Sequence, residues 1–433
     1  MSARRAVLTT TIGNFVPPLI SLVCAPMLAR GLGIDGRGAV AAAQAPLILA
    51  AGLLAIGLPD ALTYYIAQHR VISAAVAKSS ASAIVLVGAV GMVAIIALST
   101  PMSHRTPSIA HLITIGSLPL IPTLWQLLVR GVAAGMGEWN RLAADNLIGG
   151  IAKLVAIVVA LSIDALSPLV ATVIVTTSSL VGLLAYLPGK PLARGLRNDD
   201  EGPKSKEVLS YGTRVWSGSI TGVLLIYLDQ VLMTPLSSST ELGIYAVAVS
   251  ISQVPLVFNA AVRSVTFARE STAPNLQRMA QSARISTAIT AAAAGAVWLV
   301  SAQLVPLLFG HAFARSVDCI GILVVAVVAG SPGVIAGAGL GALGRPGLRS
   351  AALAIACVAN AVAIILLVPP FGAIGAAWAT VIGNGLAAFV TIFWMRKAFG
   401  QPALEYLGFT RADLSRLADL ARVRARPETA EAS

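Results

Sequence analysis

The sequence predicts an all-α polytopic membrane protein: about twelve transmembrane helices in two pseudo-symmetric six-helix bundles, both termini cytoplasmic. Three observations predict it. The 433-residue chain is 57% hydrophobic and only 11% charged, against roughly 25% charged in soluble domains. Its apolar runs come close to the ~20 residues that a helix needs to cross the hydrocarbon. Of its 30 lysines and arginines, 25 fall in every second polar break, the asymmetry by which a polytopic chain keeps Lys and Arg in the cytoplasm.

The helices are expected in order at 6–29, 38–60, 79–100, 109–130, 143–163 and 167–187, then at 211–235, 241–263, 283–309, 317–341, 350–369 and 373–396. Arg4 and Arg5 precede an apolar run too long for a cleavable signal, so the first helix is expected to stay in the membrane. The fifth and sixth helices are separated only by a short turn around Asp164. The domains read as an N-terminal bundle over 1–187, a cytoplasmic linker over 188–210, a C-terminal bundle over 211–396 and a cytoplasmic tail over 397–433. In the tail, Thr410 with Asp413 approximates a capping box, and Phe409 with Leu414 a hydrophobic staple. Both an interfacial helix and a plain solvated tail fit that pattern.

Weak internal similarity connects the bundles. Leu32-Gly33-Ile34 and Gln44-Ala45-Pro46 have counterparts in Leu242-Gly243-Ile244 and Gln253-Val254-Pro255. Pro46 and Pro255 share the sequence offset of Gly135 and Gly344, as a duplication would leave. Both halves begin in the cytoplasm, so the repeats are parallel, related by an axis along the membrane normal, and matched helix breaks point to a central site. Pro46, Pro255 and the adjacent Pro17-Pro18 are therefore candidate breaks lining a cavity, although packed membrane helices also tolerate proline. Small-residue stripes at Gly333, Gly337 and Gly341, and at Gly375, Ala379, Gly383 and Ala387, let helix backbones approach closely.

An ionisable group inside the bilayer is a functional candidate by default. Lys153 lies about 16–18 Å from either interface at about 1.5 Å per residue, too deep to snorkel. It either faces a ligand or pairs with an internal carboxylate. Asp229 falls in the outer third of the seventh helix, as cavity lining or as an interfacial anchor. Arg30 and Arg37 are basic on the side where basic residues are avoided; they either contact an anionic headgroup at the outer mouth or pair with Asp35. Asp60, Arg130, Arg214 and Arg263 stand at cytoplasmic helix ends as orientation anchors, with Arg263 also a candidate mouth contact. The first helix has no acidic residue, and a cavity whose deep charge is a cation favours an anionic substrate such as a phosphate or pyrophosphate headgroup.

Other chemistries find little support. The net charge of +12 is spread over seven segments, which fits anionic lipid rather than nucleic acid. Cys24, Cys319 and Cys357 lie far apart in or beside apolar helices, as small packing residues do. No CxxC, HExxH, GxxxxGK[ST] or GxSxG pattern occurs and the four histidines are dispersed, so neither a metal nor a cofactor is expected. A membrane polymerase or ligase needs a sizeable external loop, and the longest polar loop here is on the cytoplasmic side.

Three stretches carry a family likeness: "ARGLGIDGRGAVAAAQAPLILAAGLLAIGLPDALTYY", "YLDQVLMTPLSSSTELGIYAVAVSISQVP" and "GALGRPGLRSAALAIACVANAVAIILLVPPFGAIGAAWAT". With Asp229, Gly243, Tyr245, Asn360, Pro369, Gly372, Gly375 and Ala376 in order, the chain resembles polysaccharide flippases of the multidrug/oligosaccharidyl-lipid/polysaccharide exporter superfamily over residues 1–396. The resemblance implies alternating access between two bundles and transfer of an undecaprenyl-linked saccharide from the cytoplasmic to the outer leaflet of the bacterial inner membrane, for surface polysaccharide assembly. It implies membrane lipids and other polysaccharide-assembly proteins as partners, and it adds Asn360 to the substrate-contact candidates Lys153, Arg30, Arg37, Arg263 and Asp229. The acid-free first helix departs from the drug-extrusion branch, and the polar tail departs from peptidoglycan-precursor flippases, which usually carry two further helices. An ion-coupled drug or metabolite antiporter is the alternative within the superfamily.

Overall fold

The computed structural model describes residues 3–69, 72–187, 196–197 and 204–408, with side chains over 19–69, 73–187 and 204–408. The basic residues Arg70, Lys190 and Arg194, most of the 188–203 linker and the tail pattern from Phe409 onward lie outside the described residues, and so do the side chains of Arg4 and Arg5. The side chains of Pro17 and Pro18 do as well.

In chain order the helices are α1 (Ala3–Leu54), α2 (Leu58–His69), α3 (Ala74–Met102), α4 (Pro107–Ser117), α5 (Leu120–Gly135), α6 (Trp139–Ser162) and α7 (Pro168–Thr177). A 3₁₀ stretch, Ser178–Tyr186, continues α7. The second half holds α8 (Ser205–Leu236), α9 (Ser239–Ser252), α10 (Leu256–Thr272), α11 (Leu276–Phe309), α12 (Ser316–Ala342), α13 (Pro346–Phe399) and the short α14 (Leu404–Leu407). Two-residue strands β1 (Ile72–Ser73) and β2 (Leu196–Arg197) pair in parallel. Among the described residues, nine helices are long and apolar enough to cross a membrane, or ten if α9 and α10 form one bent span.

That count differs from twelve because two runs continue through expected turns. Arg30, Asp35 and Arg37 suggest a loop over 30–37, yet within α1 the backbone leaves helical geometry at Gly33 (φ 68°, ψ −176°). Within α13 it leaves at Gly372 (φ 55°, ψ −128°). Glycine reaches positive φ without the Cβ penalty, so one residue does the work of a loop. Gly33 and Gly372 lie at one end of the bundle and Gly57 (φ 62°) at the other; the ends are named by these residues below.

Helix starts follow the capping chemistry. The Oγ atoms of Ser73, Ser167 and Ser238 accept from Val76 N, Val170 N and Glu241 N, and Asn275 Oδ1 accepts from Arg278 N, each satisfying an amide that the helix leaves orphaned. α8 begins at Ser205 with Glu207 accepting from Lys204 N, so helix occupies the last residues of the expected 188–210 linker. Pro255 stands at the start of α10, where α9 and α10 bend by 52°. Pro46 is buried inside α1 and the helix runs through it.

Packing is closest where side chains vanish. A methyl on Gly333 would stand 2.3 Å from Ala388 Cα, and one on Gly375 2.1 Å from Leu367 O; these small-residue stripes let α12 and the two arms of α13 meet backbone to backbone. In the first half, buried Asp145 ties α5, α6 and the 3₁₀ stretch. It accepts from Gln126 Nε2 (2.8 Å) and Tyr186 OH (2.9 Å) and pairs with Arg130 Nε at 3.4 Å. Arg130 is thus a member of a buried polar node rather than a free orientation anchor.

The two halves touch at both ends. At the Gly33 end, α1 lies on α9 so tightly that a methyl on Gly38 would stand 1.8 Å from Ser239 O, and one on Gly243 2.6 Å from Ile34 O. At the Gly57 end, a methyl on Gly57 would stand 2.2 Å from Gly212 O, and Trp216 Nε1 donates to Leu53 O at 2.5 Å.

Candidate functional site

Beyond the paired Asp145, the deep charges of the first half are cations. Lys153, half-buried on α6, donates to Ser21 Oγ of α1 at 2.8 Å. No carboxylate meets it among the described residues, so the expected internal ion pair does not form. Arg37, on the arm of α1 beyond Gly33, is only 9% exposed, and its Nε has no hydrogen-bond partner among the described residues. It lies within electrostatic range of Lys153. The expected pair with Asp35 is absent because Asp35 Oδ1 accepts from Thr240 across the seam at 2.6 Å. Arg30 is turned away from this site and donates to Leu307 O of α11.

A buried guanidinium without an acceptor is costly, since a charge taken from water must recover its hydrogen bonds elsewhere. Desolvated cations in a membrane mark ligand or ion pathways. The chemical capacity of Arg37 with Lys153 is to hold an oxyanion: the guanidinium offers a planar fork and the ammonium a point charge.

In the second half the deep charge is a carboxylate. Asp229, 6% exposed on α8, accepts from Tyr245 OH at 2.5 Å and from Gln230 N at 2.7 Å. Tyr245 OH lies 2.9 Å from Thr380 Oγ1, which donates to Ala376 O at 3.0 Å. Asp229, Tyr245 and Thr380 line a cavity of about 490 Å³ bounded by α8, α9, α10, α12 and α13. Its walls are mostly aliphatic, with Ser252, Gln253, Asn259 and Asn384 as polar points and Arg263 and Arg349 also on the lining. Neither arginine makes an ion pair among the described residues, and each lies within electrostatic range of the other.

The sequence candidates thus divide. Arg37 and Lys153 come together in the first half, and Asp229 and Arg263 line one cavity in the second. Asn360 does not line it: buried, it donates to Ala379 O at 2.9 Å and clips the two arms of α13 together. Arg30 serves the seam. Three residues were missed. Arg349 counts only among the 25 basic residues of the polar breaks, which gives it no site signal of its own. Tyr245 stood in the Gly-x-Tyr pattern without a role, and Thr380 has no sequence signature.

Among the described residues no group of three or more His, Cys, Asp or Glu is arranged to hold a metal ion. The large exposed side chains Leu86, Val90, Leu299, Leu366 and Phe389 lie on the outer surfaces of apolar helices, as lipid contact requires.

Similarity to known proteins agrees with this architecture. The chain is 27% identical over 213 residues to the probable low-salt glycan biosynthesis flippase Agl15 of Haloferax volcanii, a match that spans 45% of each chain and so less than half the length of that curated relative. In fold it is similar to the lipid II flippase MurJ in an inward closed conformation, with a TM-score of 0.73 at 10% identity, covering 98% of this chain and 94% of that one. An inward-facing multidrug resistance MATE family transporter of the MOP superfamily gives 0.67 at 17% identity over 90% and 98%. The family described as "polysaccharide biosynthesis protein" matches residues 3–268. With its apolar helices and MATE- and MurJ-like fold, this multi-pass membrane protein belongs to the polysaccharide biosynthesis protein family.

Proposed function

We propose that this chain is a flippase that moves an undecaprenyl-linked oligosaccharide across the bacterial inner membrane by alternating access, for surface polysaccharide assembly. Arg37 carries the reading. A guanidinium that is nine-tenths buried, next to a second cation and with no acidic partner among the described residues, is matched to a phosphate or pyrophosphate brought in by the substrate. In this reading the anionic linkage docks on Arg37 and Lys153, Arg263 and Arg349 attract it at the cavity mouth, and the prenyl chain stays in lipid.

The same proposal sets the topology. Dividing α1 at Gly33 and α13 at Gly372, and joining α9 to α10 as one bent span, gives twelve crossings in two six-helix halves. Both termini are then cytoplasmic, the Gly57 end faces the cytoplasm and the Gly33 end faces outward. Alternating access requires each end to close in turn, and it requires substrate to differ in affinity between the two states. The glycine contacts at both ends are closures of that kind.

The test is replacement of the host's copy by Arg37→Gln, followed by mass spectrometry of polyprenyl-linked saccharides. Accumulation of one complete unit, accessible from the cytoplasmic face only, is the expected result. A normal pool and normal surface polysaccharide in that strain reject the assignment.

The polar run in the second half favours a second reading, an ion-coupled antiporter of the same superfamily. Its three oxygen–oxygen contacts, Asp229 to Tyr245, Tyr245 to Thr380 and Thr380 to Ala376 O, hold only two hydroxyl protons. A third, on Asp229, gives every contact its hydrogen. A proton taken up and released there is a means of coupling, and it serves a flippase as well as an exporter of soluble compounds. Energy-dependent efflux of soluble cations that is lost in Asp229→Asn, with lipid-linked saccharides unchanged, selects the antiporter.

A further inference from the structure

Three of the chain's seven tyrosines gather at the Gly57 end. Tyr64 and Tyr65 come from α2 in the first half, Tyr211 from α8 in the second. Tyr64 and Tyr211 stack with centroids 4.6 Å apart and planes 13° from parallel. Tyr65 meets both edge-on, at 5.2 Å and 5.7 Å, and His69 continues the row, 6.3 Å from Tyr65.

The backbone builds this cluster deliberately close to the seam. α2 is too short to span, and it buries Leu58, Ala61, Leu62 and Ile66. Gly131 and Gly135 of α5 admit Pro59 and Ile66. That seating holds the tyrosines toward α8. The Gly57–Gly212 approach and the Trp216–Leu53 bond then bring the halves together one turn away.

Tyrosines of an interfacial belt set their rings at the level of the lipid headgroups. These rings instead face one another across the boundary between halves. Tyr64 is nevertheless 45% exposed, so the side chain remains within reach of a ligand. Two charged groups, Asp60 and Arg214, lie within electrostatic range of Tyr211. Asp60 makes no hydrogen bond or ion pair among the described residues, and the bonds of Arg214 go to Ser210 in its own helix. An accessible aromatic ring beside a free carboxylate and an available guanidinium is the chemistry that holds a pyranose. The sugar's C–H face carries partial positive charge and lies on the negative face of the ring, while its hydroxyls donate to the carboxylate and accept from the guanidinium.

We propose that the Tyr64–Tyr65–Tyr211 cluster is a saccharide-binding platform at the seam between the halves, with Asp60 and Arg214 as its polar partners. It rests on the flippase reading for its place in the cycle: the sugar head meets this platform on the cytoplasmic side while the phosphate linkage is drawn toward the cations. When the seam parts, the inner faces of Tyr64 and Tyr211 separate and offer a second stacking surface.

Saturation-transfer NMR on the full-length protein in nanodiscs of sugar-free phospholipid tests it, with free maltose and N,N′-diacetylchitobiose as probes. Irradiating aromatic protons is expected to transfer saturation to the pyranose C–H protons of at least one disaccharide. Tyr64→Phe keeps the ring and the transfer; Tyr64→Leu lowers the transfer about fivefold. Asp60→Asn, at an exposed helix position, lowers it less and covers the case in which Tyr64→Leu does not fold. Transfer to neither disaccharide overturns the proposal. So does transfer unchanged in Tyr64→Leu or, should that variant not fold, in Asp60→Asn. The flippase reading fails separately, through an unchanged pool of lipid-linked saccharide in the host. That result with sugar transfer intact leaves the platform standing, and flipping without sugar transfer removes it.

Discussion

Apart from the salt-bridged carboxylates Asp145 and Glu270, one in each half, the two halves place their buried charge in opposite ways. The first half buries Arg37 beside Lys153 with no carboxylate in contact, while the second buries Asp229 in a run of hydroxyls. The polar requirements differ accordingly. Asp229 finds its hydrogen-bond partners, Tyr245 OH and Gln230 N, within the protein. Arg37 lacks an acceptor for Nε among the described residues, and the proposed phosphate contact is assigned there. Under the proposed function the halves divide the task, one holding the cargo's anion and the other a proton.

The sharpest way to break this comparison is to neutralise Arg37. Arg37→Gln is expected to slow flipping about 30-fold, the worth of a charge-assisted hydrogen bond, measured as accumulated lipid-linked saccharide. Arg37→Lys should recover part of the rate. An Arg37→Gln strain with wild-type flux would show that the first half's cation has no cargo.

Next in size is Asp229→Asn. The amide keeps the volume but removes the exchangeable proton, and transport in proteoliposomes should fall about tenfold and stop responding to an imposed pH gradient. Tyr245→Phe should retain that response at about a threefold lower rate. If Asp229→Asn keeps the gradient response, coupling lies elsewhere. Gly38→Ala sharpens the comparison differently, because its methyl bears on the seam and leaves every charged side chain in place. Its methyl meets Ser239 O, so closure at the Gly33 end should cost about 1–3 kcal/mol, visible as a lowered thermal midpoint. Ser21→Ala is the smallest expected effect. It frees Lys153 from its hydrogen bond, and flux should change less than about threefold.

Much of the fold was legible because hydropathy and loop charge act over whole segments, and an error of a few residues does not erase a span. Single-residue geometry was not legible. Gly33 and Gly372 each replace a loop because one positive φ turns the chain, and no composition marks that. Pro46 and Pro255 share a motif, yet only Pro255 stands at a bend, since neighbours decide whether a freed carbonyl matters. At the site, the depth of Lys153 followed from counting residues. The separation of Arg37 from Asp35 did not, because the partner that takes Asp35, Thr240, comes from the other half of the chain. Asn360 was carried over from family likeness and turned out to clip α13.

The 3₁₀ stretch after α7 has a consequence for the lipid. Ten α-helical residues and nine 3₁₀ residues rise about 1.5 Å and 2.0 Å each. Pro168–Tyr186 therefore reaches about 33 Å, where a uniform α-helix of that length would reach about 28 Å. The hydrocarbon core is about 30 Å thick. The tighter winding thus matches the shortest span to the bilayer without thinning it, and Asp145 takes up the space where Gly182 lacks a side chain and accepts from Tyr186 at the end of the stretch.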